Sequence, residues 1–427
     1  MRILLCTVGA IVASLLTACG HSSNNTAPAD VRLVNTAPTP VTMTLNGGYP
    51  LTGIATDSAS GYAQVPAGTY TVSVSSTNGS LNPSSQTAAL GTNEGYTTIA
   101  YARGNSVYSS TITDNLAVPA VGFSTLDVAN VSPDAGPLDV YLLPPGTTSL
   151  TPSFSPNFIG VSYQAQSTAT TFTSGSWNVI VTGTGNQSDV RLSLTGANGT
   201  GAIALTSQFV GNLALTDTPG GTLVNAVVIQ QGQQNVVGYP NAQSRLRLMS
   251  SVATTSAVIL TTSGGTVIGP TYAPSQSGYI VVPAGETIAT VTVAGTAITA
   301  PAGVLAAGND YSVLVYTNTV PASVATLFTD SNQLNIRSAS VRVINGAVTP
   351  ADGVSVSYGG LPIANTITLG NTSSYYGLQP SSSAVLTVNG SGYTNTSPQP
   401  VFDPPVGSVW TILVTSATAP VTLFRDR

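Results

Sequence analysis

Short runs of alternating apolar and polar residues fill most of the chain, and Gly, Pro, Asn or Ser bounds each run. The run Tyr70-Thr71-Val72-Ser73-Val74 is an example. A period of two puts alternate side chains on opposite faces of a strand, and the bounding residues are those that turns use. Thr, Val, Gly and Pro also depress helix formation along nearly the whole chain. After the first eighteen residues, the pattern therefore predicts strands and no amphipathic helix.

One strand pattern recurs four times. An apolar-polar-apolar stretch that ends in a small polar residue begins at Val31, Leu126, Leu246 and Val341, with starts 95, 120 and 95 residues apart. Glycine turns and later strands follow these starts at similar distances in the repeats, which is the mark of an internal repeat. Units of about 100 residues can each bury a core. We therefore predict an all-β fold of tandem antiparallel β-sandwich repeats with immunoglobulin-like architecture, and a single continuous solenoid is the alternative.

The spacing also sets the predicted domain boundaries. Repeat 1 covers 31–120, repeat 2 covers 121–244, repeat 3 covers 245–339 and repeat 4 covers 340–427. We expect each repeat to hold its own core, with only short linkers near 114–121, 230–244 and 330–340 joining neighbours.

Repeat 2 is longer than the others. Its extra residues fall in Pro144 to Phe158 and near Gly196 to Gly211, where turn-forming residues are frequent. Long loops on rigid sandwiches commonly carry recognition. These loops are the first place where we expect a binding site, and loop drift without function is the alternative.

The amino terminus predicts export. Met1-Arg2 is followed by an apolar run from Ile3 to Leu16, which has the length of a signal-peptide core and is too short to span a bilayer comfortably. The run ends in Leu16-Thr17-Ala18-Cys19-Gly20, which resembles the bacterial lipobox. The resemblance implies a signal peptide over 1–18 that is cleaved, lipidation of Cys19, and a polar tether over 19–30. An ordinary signal peptide with a chance cysteine is the alternative.

Several acyl chains anchor a protein durably at a membrane. The lipobox resemblance therefore implies a lipid-anchored protein of the bacterial cell envelope, at the outer membrane if the cell is Gram-negative.

Repeat 2 opens with a motif that resembles a known family. Leu126 to Tyr141 reads LDVANVSPDAGPLDVY, which is similar to the opening of the bacterial domain of unknown function 4397. Val31 to Pro38 and Val341 to Pro350 carry weaker versions. That family occurs as tandem repeats in exported and lipid-anchored bacterial proteins. The resemblance implies location and β architecture, and it transfers no catalytic residue.

The composition of the chain excludes several classes of function. Hydrophobic residues make up 42% of the 427, charged residues only 6%, and the formal net charge is −5. The ten cationic residues are all Arg and are spread over the chain, which argues against a nucleic-acid partner because phosphate binding needs clustered cations. The single histidine, His21, lies in the predicted tether, and both cysteines lie in the first nineteen residues. Nucleophilic triads are therefore not available, and we predict no enzyme, no cofactor and no metal site.

Three residues are the candidates for binding. Asp134 and Asp139 flank a Pro-containing turn, where carboxylates could cap the turn, bind Ca²⁺ or act on a sugar as acid and base. Trp177 could be an exposed platform for sugars. It and Trp410, however, occupy slots where other repeats have Tyr, which is typical of core anchors. Strand arginines such as Arg247 favour ion pairs with Asp at domain seams.

The sequence therefore predicts a non-catalytic, lipid-anchored envelope protein that acts as a structural or adhesive surface component. The membrane, through the anchor, and glycans or envelope polymers are the expected partners. The alternative is a carbohydrate- or ligand-binding lipoprotein with its site on the repeat 2 loops.

Overall fold

The computed structural model describes residues 27–427 except 115, 196–200, 235, 253–254, 320–321, 348–352, 391–400 and 416–420. The predicted signal peptide, Cys19 and most of the tether lie outside the described residues. Every regular element in the described part is a strand, so the all-β prediction is confirmed. A search of the same residues for a helix long and apolar enough to cross a membrane finds none.

Strands β1 to β19 fall in repeats 1 and 2. Repeat 1 contains β1 (Ala29–Asn35), β2 (Val41–Leu45), β3 (Gly48–Ile54), β4 (Ser58–Ala59), β5 (Ala63–Val65), β6 (Gly68–Ser76), β7 (Ser84–Leu90), β8 (Gly95–Arg103) and β9 (Ser106–Thr113). Repeat 2 contains β10 (Phe123–Asn130), β11 (Leu138–Leu143), β12 (Phe158–Val161), β13 (Thr170–Thr173), β14 (Gly175–Gly183), β15 (Val190–Leu194), β16 (Ile203–Leu205), β17 (Val210–Asp217), β18 (Val224–Gln230) and β19 (Val236–Tyr239).

Strands β20 to β35 fall in repeats 3 and 4. Repeat 3 contains β20 (Gln243–Ser251), β21 (Val258–Thr262), β22 (Val267–Thr271), β23 (Ser275–Gln276), β24 (Ile280–Pro283), β25 (Ile288–Val293), β26 (Thr296–Ile298), β27 (Asp310–Thr319) and β28 (Ala322–Asp330). Repeat 4 contains β29 (Ala339–Asn345), β30 (Val354–Tyr358), β31 (Leu361–Ile367), β32 (Tyr376–Leu378), β33 (Leu386–Asn389), β34 (Val409–Val414) and β35 (Val421–Arg425). Strands β1, β20 and β29 begin one or two residues before the predicted repeat starts.

Two sheets form in each repeat. We call the sheet that contains the first strand of the repeat the seam sheet; the four strand orders are β4-β1-β8-β9, β13-β10-β17-β18-β19, β23-β20-β27-β28 and β32-β29-β34-β35. We call the other the outer sheet, with orders β3-β2-β6-β7, β12-β11-β14-β15, β22-β21-β25-β26 and β31-β30-β33. The short strands β5, β16 and β24 pair with β1, β14 and β20.

The seam sheets are not antiparallel throughout, which corrects the prediction in that respect. The first strand of each repeat pairs in parallel with a later strand, in the pairs β1–β8, β10–β17, β20–β27 and β29–β34. Parallel neighbours need a long crossover connection. In repeat 1 this connection contains β2, β3, β6 and β7, which form the outer sheet, so the crossover itself covers one face of the seam sheet.

The first strand of each repeat is buried on both faces over most of its length. Leu33 packs in the core between the two sheets of repeat 1, whereas the next residue, Val34, packs against repeat 2. Leu248 and Met249 divide in the same way between the core of repeat 3 and its contact with repeat 4. A strand buried on both faces reads as a continuous apolar run rather than as an alternation. This is why the apolar residues Leu33 and Val34 are adjacent in β1, as are Leu248 and Met249 in β20.

The seam sheets join the repeats in pairs. A buried cluster that includes Val34, Ile99 and Ile229 is shared by repeats 1 and 2. A second cluster that includes Leu314 and Leu413 is shared by repeats 3 and 4. The expectation that short linkers alone join neighbouring repeats is therefore wrong for both pairs. Four separate cores are present as expected, and the seam clusters add to them.

Candidate functional site: the seams between repeats

In repeats 1, 3 and 4, an arginine follows the apolar residue that begins the recurring strand pattern. Arg32, Arg247 and Arg342 are at most 1% exposed, which is rare for a charged residue. Each Nε donates a hydrogen bond to a hydroxyl on the parallel neighbouring strand: Thr97 at 2.7 Å, Ser312 at 2.7 Å and Thr411 at 3.0 Å. Each guanidinium also lies over a tyrosine ring: Tyr62 at 4.8 Å, Tyr279 at 4.5 Å and Tyr375 at 5.3 Å. The parallel register thus fixes where each guanidinium lies.

The ion pairs of repeats 3 and 4 are exchanged between the repeats. Arg247 of repeat 3 pairs with Asp426 of repeat 4 at 2.5 Å, and Arg342 of repeat 4 pairs with Asp330 of repeat 3 at 2.6 Å. The strand hydroxyls complete the exchange by donating to the carboxylate of their own repeat: Ser312 to Asp330 at 2.5 Å and Thr411 to Asp426 at 2.6 Å. Two cations and two anions therefore neutralise one another inside the seam.

Burial and charge act in opposite directions on these groups. Burial alone would raise the pKa of the Asp330 carboxyl, but the guanidiniums of Arg342 and Arg247 outweigh it and hold that pKa below its ordinary value. Burial likewise lowers the pKa of Arg342, and the Asp330 charge outweighs it and raises the pKa. Asp330, Arg342 and Arg247, whose pKa is raised despite burial by the Tyr279, Asp426 and Asp330 groups around it, therefore stay charged at neutral pH.

The seam between repeats 1 and 2 is built differently. Arg32 pairs with Asp114 of its own repeat at 3.5 Å, and its Nη1 donates across the seam to the backbone oxygens of Gln230, at 3.0 Å, and of Gln233. Repeat 2 has Asp127 where the other repeats have the arginine. Amide groups hold this carboxylate, because Asn212 and Gln166 each donate to it at 2.6 Å.

Asp127 has no arginine among its hydrogen-bond or ion-pair partners in the described residues. Burial raises the pKa of its carboxyl, the amides of Asn212 and Gln166 lower it, and the Asp114 charge raises it again, to about 6. The seam of repeats 1 and 2 therefore contains a buried carboxylate whose pKa lies above the ordinary value for Asp.

Asp134, the first candidate from the sequence, is fully buried in an ion pair. Arg103 of repeat 1 binds it through two hydrogen bonds of 2.6 and 2.7 Å, and the backbone N–H of Leu334 donates to it at 2.6 Å. Nearby Asp217 is also buried, and burial together with the Asp134 charge raises its pKa to about 8. The described residues contain no group of three or more His, Cys, Asp or Glu side chains suited to a metal ion. The carboxylate of Asp134 thus joins three chain segments. It is not accessible to the Ca²⁺ ion or the sugar that the sequence left open as ligands.

Asp139 ties two loops together. Its two carboxylate oxygens accept hydrogen bonds from the backbone N–H groups of Gly160, at 2.8 Å, and Gly185, at 2.9 Å. These donors lie 21 and 46 residues away along the chain, so Asp139 joins two loops and does not cap its own turn, which was the first alternative from the sequence. Both oxygens take part in these bonds, and the residue is buried.

Trp177 is a half-buried core anchor. Its ring packs edge-on against Phe172 with 5.5 Å between centroids, and Nε1 donates to the Thr173 backbone oxygen at 3.0 Å. Trp410 makes the same kind of contact with Phe402 at 5.3 Å. A sugar platform needs an exposed ring face, whereas both rings pack against cores. The geometry favours the core alternative for both tryptophans.

The first long loop of repeat 2 folds over its outer sheet. Leu150 and Phe154 pack on a small cluster that contains Ile180. A groove of about 580 Å³ is lined by Thr148 and Ser149 of this loop and by Arg245 and Tyr279 of repeat 3. Of the second long loop, 196–200 lies outside the described residues, and β16 pairs with the Trp177 end of β14. Of the two predicted loops, the first therefore borders the groove.

Sequence reasoning missed the serine and tyrosine partners of the seam. A serine accepts a hydrogen bond at 2.9 Å from the backbone N–H that follows the arginine position in every repeat: Ser60, Ser167, Ser277 and Ser373. The tyrosine over the guanidinium comes two residues later in repeats 1, 3 and 4, whereas repeat 2 has Ala169 there. The recurring Ser-x-Tyr was the available signal, and repeat 2 lacks the tyrosine and the arginine together.

Comparison with known proteins gives one family match. Among solved structures, a candidate cell adhesion protein from Bacteroides uniformis ATCC 8492 is similar at 12% identity over 50% of this chain and 99% of that chain. The TM-score is 0.22, and this likeness carries no conclusion about function. No curated protein matches the sequence. The family model of the domain of unknown function DUF4397 matches residues 29–141, which span repeat 1 and the first two strands of repeat 2, and this confirms the predicted resemblance.

Proposed function

We propose that the chain is a lipid-anchored, non-catalytic component of the bacterial envelope with a structural or adhesive role at the surface. The amino-terminal pattern supports the anchor, because Cys19 follows an apolar run of signal-peptide length and a Leu-Thr-Ala sequence. Several acyl chains on this cysteine would hold the protein at the membrane durably.

The exchange of ion pairs between repeats 3 and 4 is the observation that carries the structural role. Six arginines form ion pairs with aspartates in the described part of the chain: Arg32, Arg103, Arg191, Arg245, Arg247 and Arg342. Few charges are therefore left for the surface, where Ser, Thr, Asn and Gln predominate. A scaffold with internal ionic contacts and a nearly neutral exterior suits contact with other polymers without long-range charge effects.

Whole-cell adhesion tests the proposal. Cells that carry the wild-type chain should bind glycan-coated or cell-coated surfaces more strongly than cells that lack it. Cells with Cys19→Ser should resemble the deletion, because the chain would no longer be held at the membrane. Unchanged adhesion and unchanged envelope integrity in the deletion strain would overturn the proposal.

The groove beside the first long loop of repeat 2 favours a second candidate function, that of a ligand-binding lipoprotein. The polar residues Thr148, Ser149, Gln243 and Arg245 are among those that line it. A few convergent polar groups in a partly apolar groove are typical of ligand sites. Thr148→Ala/Ser149→Ala should weaken glycan binding if the site lies here, and unchanged binding would exclude this groove.

A further inference from the structure

All four repeats line a second groove, of about 710 Å³. Repeat 1 contributes Tyr101 and Tyr108, repeat 2 contributes Tyr163, and the segment between β28 and β29 forms one wall with residues 331–337. Ser340 of repeat 4 completes the lining. Its lining includes no residue of the first long loop of repeat 2.

Tyrosine rings form one side of the groove. Tyr101 and Tyr108 face each other on β8 and β9 and stack with 6.2 Å between ring centroids and 24° between planes. The Tyr163 hydroxyl lies 2.8 Å from the Tyr101 hydroxyl, and Tyr163 is 37% exposed. Such a side offers apolar ring surface with hydroxyl groups at its margin, the mixture that suits an amphipathic ligand.

The opposite wall is held in place by repeats 1 and 2. The Leu334 N–H donates to Asp134 at 2.6 Å, and Arg103 donates to the Leu334 oxygen. The Asn332 N–H donates to the Gly220 oxygen at 3.0 Å. Contacts at Asn332 and Leu334 fix the wall before any ligand arrives. A preformed groove loses less entropy on binding.

One cation in the groove has no carboxylate partner. Arg103 is neutralised by Asp134, but the exposed Arg337 makes no ion pair within the described residues. This contrasts with the six arginines that pair with aspartates. A guanidinium presents a planar fork of donors that matches a carboxylate.

We propose that this groove binds an acidic oligosaccharide, a sugar chain that carries uronic acid carboxylates. Tyr108 and Tyr163 would pack against the C–H faces of the sugar rings, and the amides of Gln333 and Asn335 would bond the hydroxyls. Arg337 would pair with a carboxylate. A neutral glycan would leave this cation without a partner, and an acidic peptide has fewer hydroxyls for the amides. The site fits an adhesive role but depends neither on that role nor on the lipid anchor.

Calorimetric titration of the full-length chain in detergent tests the proposal with oligogalacturonate, the matching neutral oligogalactose and an oligoglutamate peptide. Oligogalacturonate should bind most tightly. Arg337→Gln should weaken its binding about tenfold or more, since a hydrogen bond to a charged group contributes about 1.5–3 kcal/mol. Arg425→Gln is the matched control, because Arg425 is also exposed and outside the ion pairs, and its binding should not change.

Two variants of Tyr163 distinguish the loss of ring stacking from a folding defect. Tyr163→Ala should weaken oligogalacturonate binding several-fold, whereas Tyr163→Phe keeps the ring and should bind nearly as wild type. Thermal melting of each variant checks the fold. Absence of oligogalacturonate binding, equal binding of the neutral sugar or the peptide, or an Arg337→Gln variant that binds as wild type would each overturn the proposal. An effect confined to Thr148→Ala/Ser149→Ala would move the site to the other groove.

Discussion

Arg247 and Asp426 form a buried ion pair at 2.5 Å although they belong to different repeats and lie 179 residues apart in the sequence. Arg342 and Asp330 repeat the relationship in the opposite direction. Desolvating a charge costs several kcal/mol, so two buried pairs are tolerated only when every charge finds its partner. Such an exchange disfavours other registers between the seam sheets. It therefore specifies how repeats 3 and 4 pack as well as stabilising the contact.

Removing one cation from the exchange should destabilise the repeat 3–4 pair. Arg342→Met leaves Asp330 buried with one arginine fewer, and we expect a loss of about 3–5 kcal/mol in the free energy of unfolding. Denaturant titration measures it. Arg425→Met is the control and should change stability little, because Arg425 is exposed. A loss for Arg342→Met no larger than that of the control would show that the exchange contributes nothing to folding.

The seam of repeats 1 and 2 should respond to pH through Asp127. Its pKa of about 6 in the folded chain lies above the ordinary value of about 3.9 for an unfolded Asp. A carboxyl with a raised folded-state pKa stabilises the fold fully below the unfolded value, and that stability is lost as pH rises through the folded value. Between about pH 4 and pH 6, the contribution of Asp127 should fall by about 3 kcal/mol.

Asp127→Asn isolates that contribution, because the amide keeps the shape of the side chain and cannot ionise. The variant should be more stable than wild type at pH 8 and should show a flatter stability profile between pH 4 and 7. Subtracting the two profiles removes the effects of Asp217 and the other carboxyls. Parallel profiles for wild type and variant would mean that Asp127 does not titrate in this range.

Trp410 should stabilise repeat 4. Its ring packs on Phe402 and on the core, and Nε1 donates to the Ser408 hydroxyl at 2.8 Å. Trp410→Ala should cost about 3–5 kcal/mol, and Trp410→Phe should cost less because it keeps an aromatic ring. Thermal unfolding distinguishes the two variants. If Trp410→Ala melts as wild type but binds sugars less well, the ring is a platform rather than an anchor.

Lipidation should depend on one sulfur atom. Cys19→Ser removes the thiol that the lipobox resemblance assigns to the diacylglyceryl group. The variant should leave the membrane fraction and should no longer incorporate labelled palmitate. If the variant stays in the membrane fraction and still incorporates labelled palmitate, Cys19 does not carry a lipid anchor.

Local patterns in the sequence predicted the strands well, whereas the choice of ion-pair partner across repeats left no local signal. Val72 and Val74 alternate with polar residues and lie within β6, where the alternation predicted a strand. The pair Leu33-Val34 broke the alternation because both faces of β1 are buried, and this was the overlooked sign of repeat–repeat contact. Nothing in the sequence joins Arg342 to Asp330 rather than to another aspartate, because only the packing of two seam sheets brings them together.

The candidate sites show the same division. The neighbours of Asp139 in the chain predicted turn capping, whereas its partners Gly160 and Gly185 lie 21 and 46 residues away and no local pattern indicates them. The second groove could not be predicted, because its lining residues Tyr108, Tyr163 and Arg337 come from distant segments with no common motif. A site assembled between repeats is invisible until the packing of the repeats is known.

Hydrogen exchange of backbone amides across a denaturant series tests the central claim, that exchanged ion pairs make repeats 3 and 4 one structural unit. Amides of β20 and β27 in repeat 3 and of β29 and β34 in repeat 4 should open together, with one free energy and one denaturant dependence. In Arg342→Met the shared opening should occur at lower denaturant. If β29 and β34 exchange through their own opening while β20 and β27 stay protected in the wild-type chain, the repeats are independent and the claim is wrong.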